Sequence, residues 1–320
     1  MLPFLEAIQP ELKRVNTRII QRLHSEEALV EEIGHHLVNA GGKRLRPILV
    51  LLCAKALNYR GDQHLDLAAI IEFIHSATLL HDDVVDVSML RRGMPTANAQ
   101  WGNAPSVLVG DFLYSRAFQM MVEISSMDIM RIMSNTTNVI AEGEVQQLAN
   151  TQNPNIGERD YLDVIYKKTA ALFEAACECG ASISQASDKH RQALKKYGYH
   201  LGIAFQLMDD ILDYDGDSAL LGKNVGDDLA EGKATLPVIH AMSVGSEESA
   251  SLIRKSLTNA DATELVKIID LVKSCGSLNY TRKMAIEHAD AGIKLLEALP
   301  DTSWRQCLID LTKFSIARTH

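Results

Sequence analysis

Apolar residues recur at helical spacing along nearly the whole chain, and this periodicity most constrains how it can fold. Apolar side chains return every three or four residues, most clearly in residues 29–38, 67–78 and 201–212. Sustained period-2 alternation, the pattern of a half-buried strand, is absent from the sequence. Gly41-Gly42 can stop one helix, and three prolines suit the first turns of later helices: Pro47, Pro105 and Pro237. We therefore predict an all-α fold.

The 320 residues contain no Pro/Gly/Ser-rich linker and no charge block. We therefore expect a single domain over residues 1–320 rather than two. Loops are expected at Tyr59–Asp62, Leu90–Thr96, Thr151–Gly157 and Tyr214–Gly232. The last of these is long and polar, and loops of this kind often carry functional residues.

Charge and composition exclude several classes of protein. Lys and Arg number 32 against 41 Asp and Glu, and the net charge of -9 argues against a nucleic-acid partner. The longest apolar run, Ile48–Ala54, is much shorter than the roughly 20 residues that cross a bilayer. The amino-terminal residues lack a basic region and a cleavage site, so we expect a cytoplasmic protein. Five scattered cysteines make no disulfide framework, and the C-x-C of Cys177 and Cys179 favours buried thiols over a metal site.

The pattern D-D-x-x-D occurs twice, at residues 82–86 and 209–213, each time after an apolar helical run. On a helix, Asp82 and Asp86 lie one turn apart on one face, as do Asp209 and Asp213. Like charges at this spacing repel, so a compensating partner is expected. Mg²⁺ is a natural candidate because it prefers a few carboxylates together with water and phosphate oxygens. A solvated acidic helix end is the structural alternative, and the repetition of the pattern argues against it.

A calcium loop is a second interpretation of the acids that begin at Asp213. With Asp213 as its first position, the loop would need Gly where Ser218 stands and a bidentate Glu where Asn224 stands. The sequence therefore does not support an EF-hand.

Short basic groups accompany the acidic clusters. They are Gly41-Gly42-Lys43-Arg44-Leu45-Arg46-Pro47, Arg91-Arg92-Gly93, Lys167-Lys168-Thr169, Lys223 and Lys233. The first is not a Walker A loop, because the spacing of that motif is missing. His75 precedes Asp82 by seven residues, which places it two helical turns earlier on the same face. A surface role for each lysine and a packing role for His75 are the alternatives to phosphate binding.

Taken together, these motifs resemble those of the trans-isoprenyl diphosphate synthase (polyprenyl synthetase) family. The shared elements, in family order, are G-G-K-R-L-R-P, H-x-x-x-x-x-H-D-D-x-x-D, R-R-G, K-T, Q-L-M-D-D-I-L-D, G-K-N-V-G-D-D and G-K-A-T-L-P. The flanking residues most resemble the bacterial long-chain, octaprenyl members. The resemblance implies a helical bundle around a deep central cavity, aspartate motifs that face each other across its mouth, and a homodimer.

The resemblance also implies roles for individual residues. Asp82, Asp86 and Asp209 would be direct ligands of about three Mg²⁺ ions, supported by Asp83, Asp210 and Asp213. The site for isopentenyl diphosphate would consist of Lys43, Arg46, His75 and Arg92. The allylic diphosphate would be held by Arg91, Lys168, Lys223 and Lys233, with Thr169 and Gln206 near the reacting carbon.

The implied activity is Mg²⁺-dependent elongation of an allylic diphosphate by successive isopentenyl diphosphates, giving an all-trans octaprenyl diphosphate for a respiratory quinone side chain. A shorter-chain geranylgeranyl or farnesyl diphosphate synthase and a non-catalytic partner subunit are alternatives. A terpene cyclase is less consistent, because it has no use for Lys43, Arg46 and His75. Since the product is a membrane lipid, peripheral contact with a bilayer is also expected.

Ala77 and Thr78 lie one turn before Asp82, and both side chains are small. Short-chain members of the family commonly carry an aromatic residue here, so the resemblance implies a long product. The residue that finally stops the chain is expected to be a Met or Phe within residues 112–133. The alternative is that Ala77 is small only to let helices pack.

Overall fold

The structure is a computed structural model that describes residues 3–39, 41–91, 93–215, 225–261 and 263–317. Its helices are α1 (Pro3–Arg22), α2 (Ala28–Asn39), α3 (Leu45–Ala56), α4 (Gln63–Val85), α5 (Ala97–Trp101), α6 (Asn103–Ile124), α7 (Met127–Asn150), α8 (Glu158–Ile165), α9 (Ala171–Ile183), α10 (Asp188–Asp215), α11 (Asp227–Ala230), α12 (Leu236–Val244), α13 (Glu247–Asn259), α14 (Leu265–Ser274), α15 (Ser277–Leu295) and α16 (Ser303–Ala317). A π-helix, Tyr166–Ala170, joins α8 to α9, and a 3₁₀ turn, Leu296–Ala298, follows α15. The all-α prediction is confirmed. Among the described residues, no helix is long and apolar enough to cross a membrane.

The helices begin and end near the glycines and prolines predicted to mark their boundaries. Helix α2 ends at Asn39, just before Gly41 and Gly42, which have φ angles of 73° and 146°. The three prolines lie in the first turns of α3, α6 and α12, where a missing N–H costs no helical hydrogen bond. The expected breaks at Tyr59–Asp62 and Thr151–Gly157 are also confirmed.

Two of the predicted loops differ from the structure. Residues Leu90–Thr96 contain a short antiparallel hairpin, in which β1 (Leu90–Arg91) pairs with β2 (Met94–Pro95). The two strands are too short to show alternation, and Gly93, with a φ of 75°, permits the tight turn. The predicted loop Tyr214–Gly232 is wrong at both ends, because α10 continues to Asp215 and α11 occupies Asp227–Ala230. The residues 216–224 lie outside the described part of the chain.

The residues group into two compact units. The first consists of Met1–Thr137, Leu172–Gly198 and Leu295–Leu311. Within it, α4 packs against α1, α3 and α6 and is buried on most of its circumference. Because α4 is buried on most sides and packs against three neighbouring helices, it is the central element of this unit.

The second unit consists of Asn138–Ala171, Tyr199–Lys294 and Thr312–His320. It contains two apolar clusters of its own. One is built around Tyr161, Ile165, Met208 and Ile211, and the other around Tyr214, Leu229 and Val238. The single domain over residues 1–320 and its central cavity stay predictions.

The cysteines agree with the interpretation as buried thiols. All five are free, and Cys177 and Cys179 have no exposed surface. Burial raises the pKa of both thiols, which keeps them protonated and unreactive.

A pair of histidines lies inside the second unit. Nδ1 of His200 on α10 lies 3.2 Å from Nδ1 of His288 on α15, so one ring donates a hydrogen bond and the other accepts it. Burial lowers the pKa of His288 to about 4, and the neighbouring His200 acts in the same direction. His288 is therefore neutral at pH 7.

This arrangement predicts a loss of stability in mild acid. Between pH 6.5 and about 4, the unfolded chain binds a proton at His288 that the folded chain does not bind. We expect the free energy of unfolding to fall by about 1–2 kcal/mol from this residue over that interval, after allowance for the partial exposure of the ring. Urea denaturation across this range measures the loss. In His288→Gln the loss of unfolding free energy over this pH range should be smaller than in the parent protein by about 1–2 kcal/mol. An identical pH dependence of the unfolding free energy in the two proteins would contradict the role assigned to His288.

Candidate active site

The first aspartate cluster lies at the carboxyl end of α4, as predicted. Asp82 and Asp86 are half-buried and one turn apart, and the N–H of Asp86 donates to the carbonyl of Asp82 at 2.8 Å. Asp83, between them, is 2% exposed and faces Arg91. Its carboxylate accepts from Nε of Arg91 at 3.0 Å and from Nη2 at 2.7 Å. The middle aspartate is thus paired with a cation of the protein itself, which fits a supporting role.

The hairpin after α4 holds Arg91 in place. The side-chain amide of Asn98 donates to the carbonyls of Asp83 and Ser88, at 3.1 and 3.0 Å. The hydroxyl of Thr96 donates to the carbonyl of Ser88 at 2.7 Å. Val87 has a φ of 51°, a left-handed conformation that is unfavourable for a β-branched residue. The surrounding hydrogen bonds compensate for this strain, and a fixed Arg91 is the result.

Arg46 and His75 come together in the first unit. Nη1 of Arg46 lies 3.1 Å from Nε2 of His75, and its guanidinium carbon lies 4.6 Å from the centre of the Phe173 ring. Because its plane rests on this aromatic ring, the guanidinium can present its edge to an anion. Lys43, three residues earlier, is exposed, and Arg44 is paired with the buried Glu72. The two arginines, two residues apart in the sequence, therefore have different partners: a buried carboxylate for Arg44, and an imidazole and an aromatic ring for Arg46.

The second aspartate cluster lies on α10. Asp209 is half-buried, Asp210 is 2% exposed and Asp213 is fully buried. The hydroxyl of Tyr161 and the side-chain amide of Gln206 both donate to the carboxylate of Asp210, the latter at 2.9 Å. A carboxylate oxygen of Asp213 accepts a hydrogen bond from the backbone N–H of Asp228 at 3.4 Å. The backbone carbonyl of Asp213 accepts one from the N–H of Gly226 at 2.7 Å. Gly226 and Asp228 are thereby bonded to the last aspartate of this cluster.

Burial raises the pKa of Asp210 to about 8, and the nearby charge of Asp228 adds to the effect. The hydrogen bonds from Tyr161 and Gln206 oppose it. This pKa of Asp210 applies to the protein without a metal ion. A cation bound nearby favours the ionised form of the carboxyl group.

The π-helix Tyr166–Ala170 carries Lys168 and Thr169, two of the predicted catalytic residues. Nζ of Lys168 lies 2.7 Å from a carboxylate oxygen of Glu144, and the hydroxyl of Thr169 donates to Oε1 of Gln206 at 2.9 Å. Thr169 and Gln206, predicted to act together, are therefore in contact. A Cβ at Gly143 would lie 2.7 Å from Cβ of Lys167 and 3.0 Å from N of Lys168. Only glycine allows α7 to approach the π-helix this closely.

The remaining predicted residues are placed as follows. Lys233 forms an ion pair with Glu231 at 2.7 Å, and its N–H donates to the carbonyl of Asp228 at 2.8 Å. Ala77 is fully buried on α4, and the hydroxyl of Thr78 donates to the carbonyl of His75 at 2.8 Å. Arg92 and Lys223 lie outside the described residues.

Sequence reasoning missed several contributors to these clusters. Tyr161 and Phe173 are aromatic residues at helical spacing and look like ordinary core residues. Glu144 stands in the A-E-G-E segment, where no local pattern shows that it meets Lys168. Only contacts between distant segments reveal their roles.

The donor sets fit a hard divalent cation. Both clusters offer only carboxylate oxygens, the ligands that Mg²⁺ and Ca²⁺ prefer, and the middle aspartate of each is already held by protein donors. Within the described ranges, no three His, Cys, Asp or Glu side chains are grouped so as to hold a metal ion by themselves. Hard divalent cations also accept water and phosphate oxygens as ligands, so the carboxylates need not supply every ligand.

Comparisons with known proteins agree with this description. The model of the family "Polyprenyl synthetase" matches residues 27–272. Octaprenyl diphosphate synthase of Escherichia coli is 49% identical over 98% of this chain and 97% of its own length. All-trans-nonaprenyl-diphosphate synthase (geranyl-diphosphate specific) of Rhodobacter capsulatus is 45% identical, with coverages of 98% and 97%. The crystal structure of a polyprenyl synthase from Caulobacter crescentus, complexed with calcium and isoprenyl diphosphate, matches with a TM-score of 0.96 at 42% identity, covering 99% of this chain and 97% of that one.

The family match covers most of the chain, and the relatives extend over nearly all of it. The Caulobacter protein was crystallised with both a divalent cation and an isoprenyl diphosphate. The chain therefore belongs to the polyprenyl synthetase family, and it is a long-chain trans-prenyltransferase.

Proposed function

We propose that the protein elongates an allylic diphosphate with successive isopentenyl diphosphates, with Mg²⁺, to an octaprenyl diphosphate that serves as a respiratory quinone side chain. One observation supports the use of two diphosphates above all others. Helix α4 carries His75, in contact with Arg46, two turns before Asp82 and three turns before Asp86, the residue that caps the helix. A single helix thus presents a cationic group for one diphosphate and a carboxylate pair for a metal-bound second one, roughly 10 to 17 Å farther along its axis.

In this proposal, Lys43, Arg46, His75 and Arg92 bind the diphosphate of isopentenyl diphosphate. Arg91, Lys168, Lys223 and Lys233 bind that of the allylic substrate. About three bound Mg²⁺ ions would supply positive charge to the departing diphosphate. The metal ligands are Asp82, Asp86 and Asp209, with Asp83, Asp210 and Asp213 in support.

The chemistry follows from these positions. The allylic carbon–oxygen bond breaks and leaves an allylic cation, while the fixed ammonium of Lys168 stabilises negative charge on the leaving group. Thr169 and Gln206 lie near the reacting carbon and help to keep water from it. The double bond of isopentenyl diphosphate attacks the cation, and the proton that is lost goes to the released pyrophosphate.

The product length is proposed to depend first on Ala77 and Thr78. Both precede Asp82 by about one turn on α4, and neither side chain is large enough to block a growing tail. Each added isoprene unit gains burial worth about 0.8 kcal/mol per CH₂ group, so elongation continues until a larger side chain blocks the path.

We also propose that the protein works as a homodimer through the exposed face of α6. Leu108 and Val122, four turns apart on one side of this helix, are 66% and 65% exposed. A second copy of the chain that packs against this face would remove both apolar side chains from water.

The decisive test is an assay of the purified chain with Mg²⁺, farnesyl or geranyl diphosphate, and isopentenyl diphosphate. Mass analysis of the products should show a long-chain prenyl diphosphate. If the folded protein alone gives no product, but does so with an added homologue, it is a partner subunit and the proposal fails.

The metal ligands should be separable from the fold. Asp82→Ala and Asp209→Ala should each lower kcat at least about 100-fold. The metal-free variants should be as stable as the parent or more so, because like-charge repulsion is relieved. Steady-state kinetics and urea denaturation measure the two effects.

Asp83→Ala provides the contrast. It leaves Arg91 without its carboxylate, so it should also cost about 2 kcal/mol of unfolding free energy. Near-normal activity in Asp82→Ala or Asp209→Ala would remove that residue from the metal ligands.

The two diphosphate sites predict different kinetic effects. Arg46→Ala should mainly raise the KM for isopentenyl diphosphate, by about tenfold or more. Lys168→Ala should act chiefly on kcat, by about 100-fold, because it weakens leaving-group stabilisation. Lys167→Ala is the matched control, since Lys167 shares the π-helix but pairs with Asp163 and Gln146. If Arg46→Ala raised only the KM for the allylic substrate, Arg46 would belong to the site of the allylic diphosphate, and the assignment of the two sites would be reversed.

The length assignment predicts a change of product. Ala77→Tyr should shift the products from about C40 to about C15 or C20, because the ring blocks the tail after the first additions. The rate of the first condensation should remain measurable, and circular dichroism checks the fold. An active, folded Ala77→Tyr enzyme with unchanged products would show that Ala77 is small only for helix packing.

A further inference from the structure

Tyr161 on α8 is a buried polar residue that the proposed mechanism does not use. It is 4% exposed, and its ring packs in the apolar cluster with Ile165, Met208 and Ile211. Its hydroxyl donates to Oδ2 of Asp210, which is 49 residues away in the sequence. A buried hydroxyl needs a partner, and this one is aimed at the α10 aspartate cluster.

The contact is one end of a continuous chain of hydrogen bonds. Oδ1 of Asp210 accepts from Nε2 of Gln206 at 2.9 Å, and Oε1 of Gln206 accepts from the hydroxyl of Thr169 at 2.9 Å. Both oxygens of Asp210 are therefore held, and its carboxylate cannot rotate without breaking a bond on either side. The same bonds fix the amide of Gln206 with its carbonyl oxygen towards Thr169.

The kind of donor matters as much as its position. Asp83 of the α4 cluster is held by the charged Arg91, whereas Asp210 is held by two neutral donors. A neutral donor fixes the direction of a carboxylate without bringing a positive charge into the cluster.

We propose that Tyr161 is a positioning residue of the enzyme. Its hydroxyl holds Asp210 and, through Gln206, Thr169, so that the α10 cluster is arranged for a metal-bound diphosphate before the ligand arrives. This inference rests on the proposed metal-dependent function. Residues behind metal ligands typically change metal affinity about 10–100-fold when they are removed.

Tyr161→Phe removes the hydroxyl alone and tests the inference. We expect the Mg²⁺ concentration for half-maximal activity to rise about tenfold, while the KM for isopentenyl diphosphate changes less than about twofold. A second readout is independent of turnover. The rise in melting temperature caused by Mg²⁺ with inorganic pyrophosphate should be clearly smaller in Tyr161→Phe than in the parent.

Tyr197→Phe is the matched control. Tyr197 is also fully buried, and its hydroxyl donates to the carbonyl of Leu308 at 2.9 Å, so the chemical change is the same. Both variants should show a comparable, modest drop in melting temperature. Only Tyr161→Phe should change the response to Mg²⁺, with all measurements made well below both melting temperatures.

The possible outcomes test the role of Tyr161 separately from the proposed function. Equal Mg²⁺ responses in Tyr161→Phe, Tyr197→Phe and the parent would overturn the inference and leave Tyr161 a structural residue. If the parent protein binds Mg²⁺ with pyrophosphate but makes no prenyl product, the proposed function fails. The binding comparison between the variants still decides the role of Tyr161 in that case.

Discussion

Crowded carboxylates are the constraint on which the rest of this structure depends. Two D-D-x-x-D segments each place three acids within little more than one helical turn, and the repulsion opposes folding until something compensates it. The middle acid of each segment is held from within the chain, Asp83 by Arg91 and Asp210 by Tyr161 and Gln206. The hairpin after α4 and the packing of α8 are therefore parts of the site as well as of the fold.

Departures from regular helix accompany the residues proposed to act in the reaction. The π-helix at Tyr166–Ala170 carries Lys168 and Thr169, and it fits against α7 only because residue 143 is glycine. Val87 takes a left-handed conformation beside the α4 cluster, supported by the hydrogen bonds of the hairpin. Such strained or irregular backbone persists only where its surroundings over-determine it, and here it places functional side chains.

Much of the placement of the candidate site residues on the helices could be predicted from sequence, because the signals are local. One-turn spacing of aspartates, an apolar run before each cluster and a proline in a first turn all act within a few residues. The wrong predictions have the same origin. A hairpin with two-residue strands and a four-residue helix are too short to give a periodic signal, so Leu90–Thr96 and Tyr214–Gly232 looked like plain loops.

The sequence by itself determined the helical class, the two acidic clusters and the basic residues that accompany them, since periodicity and spacing along one helix establish which side chains share a face. Tertiary structure alone decided which of those groups meet. It paired Arg44 with Glu72 and Arg46 with His75, although the two arginines are near neighbours in the sequence. It also brought Tyr161 to Asp210 across 49 residues. The physical reason is that a hydrogen bond or ion pair depends on distances of about 3 Å between atoms, which only the packing of separate helices can set.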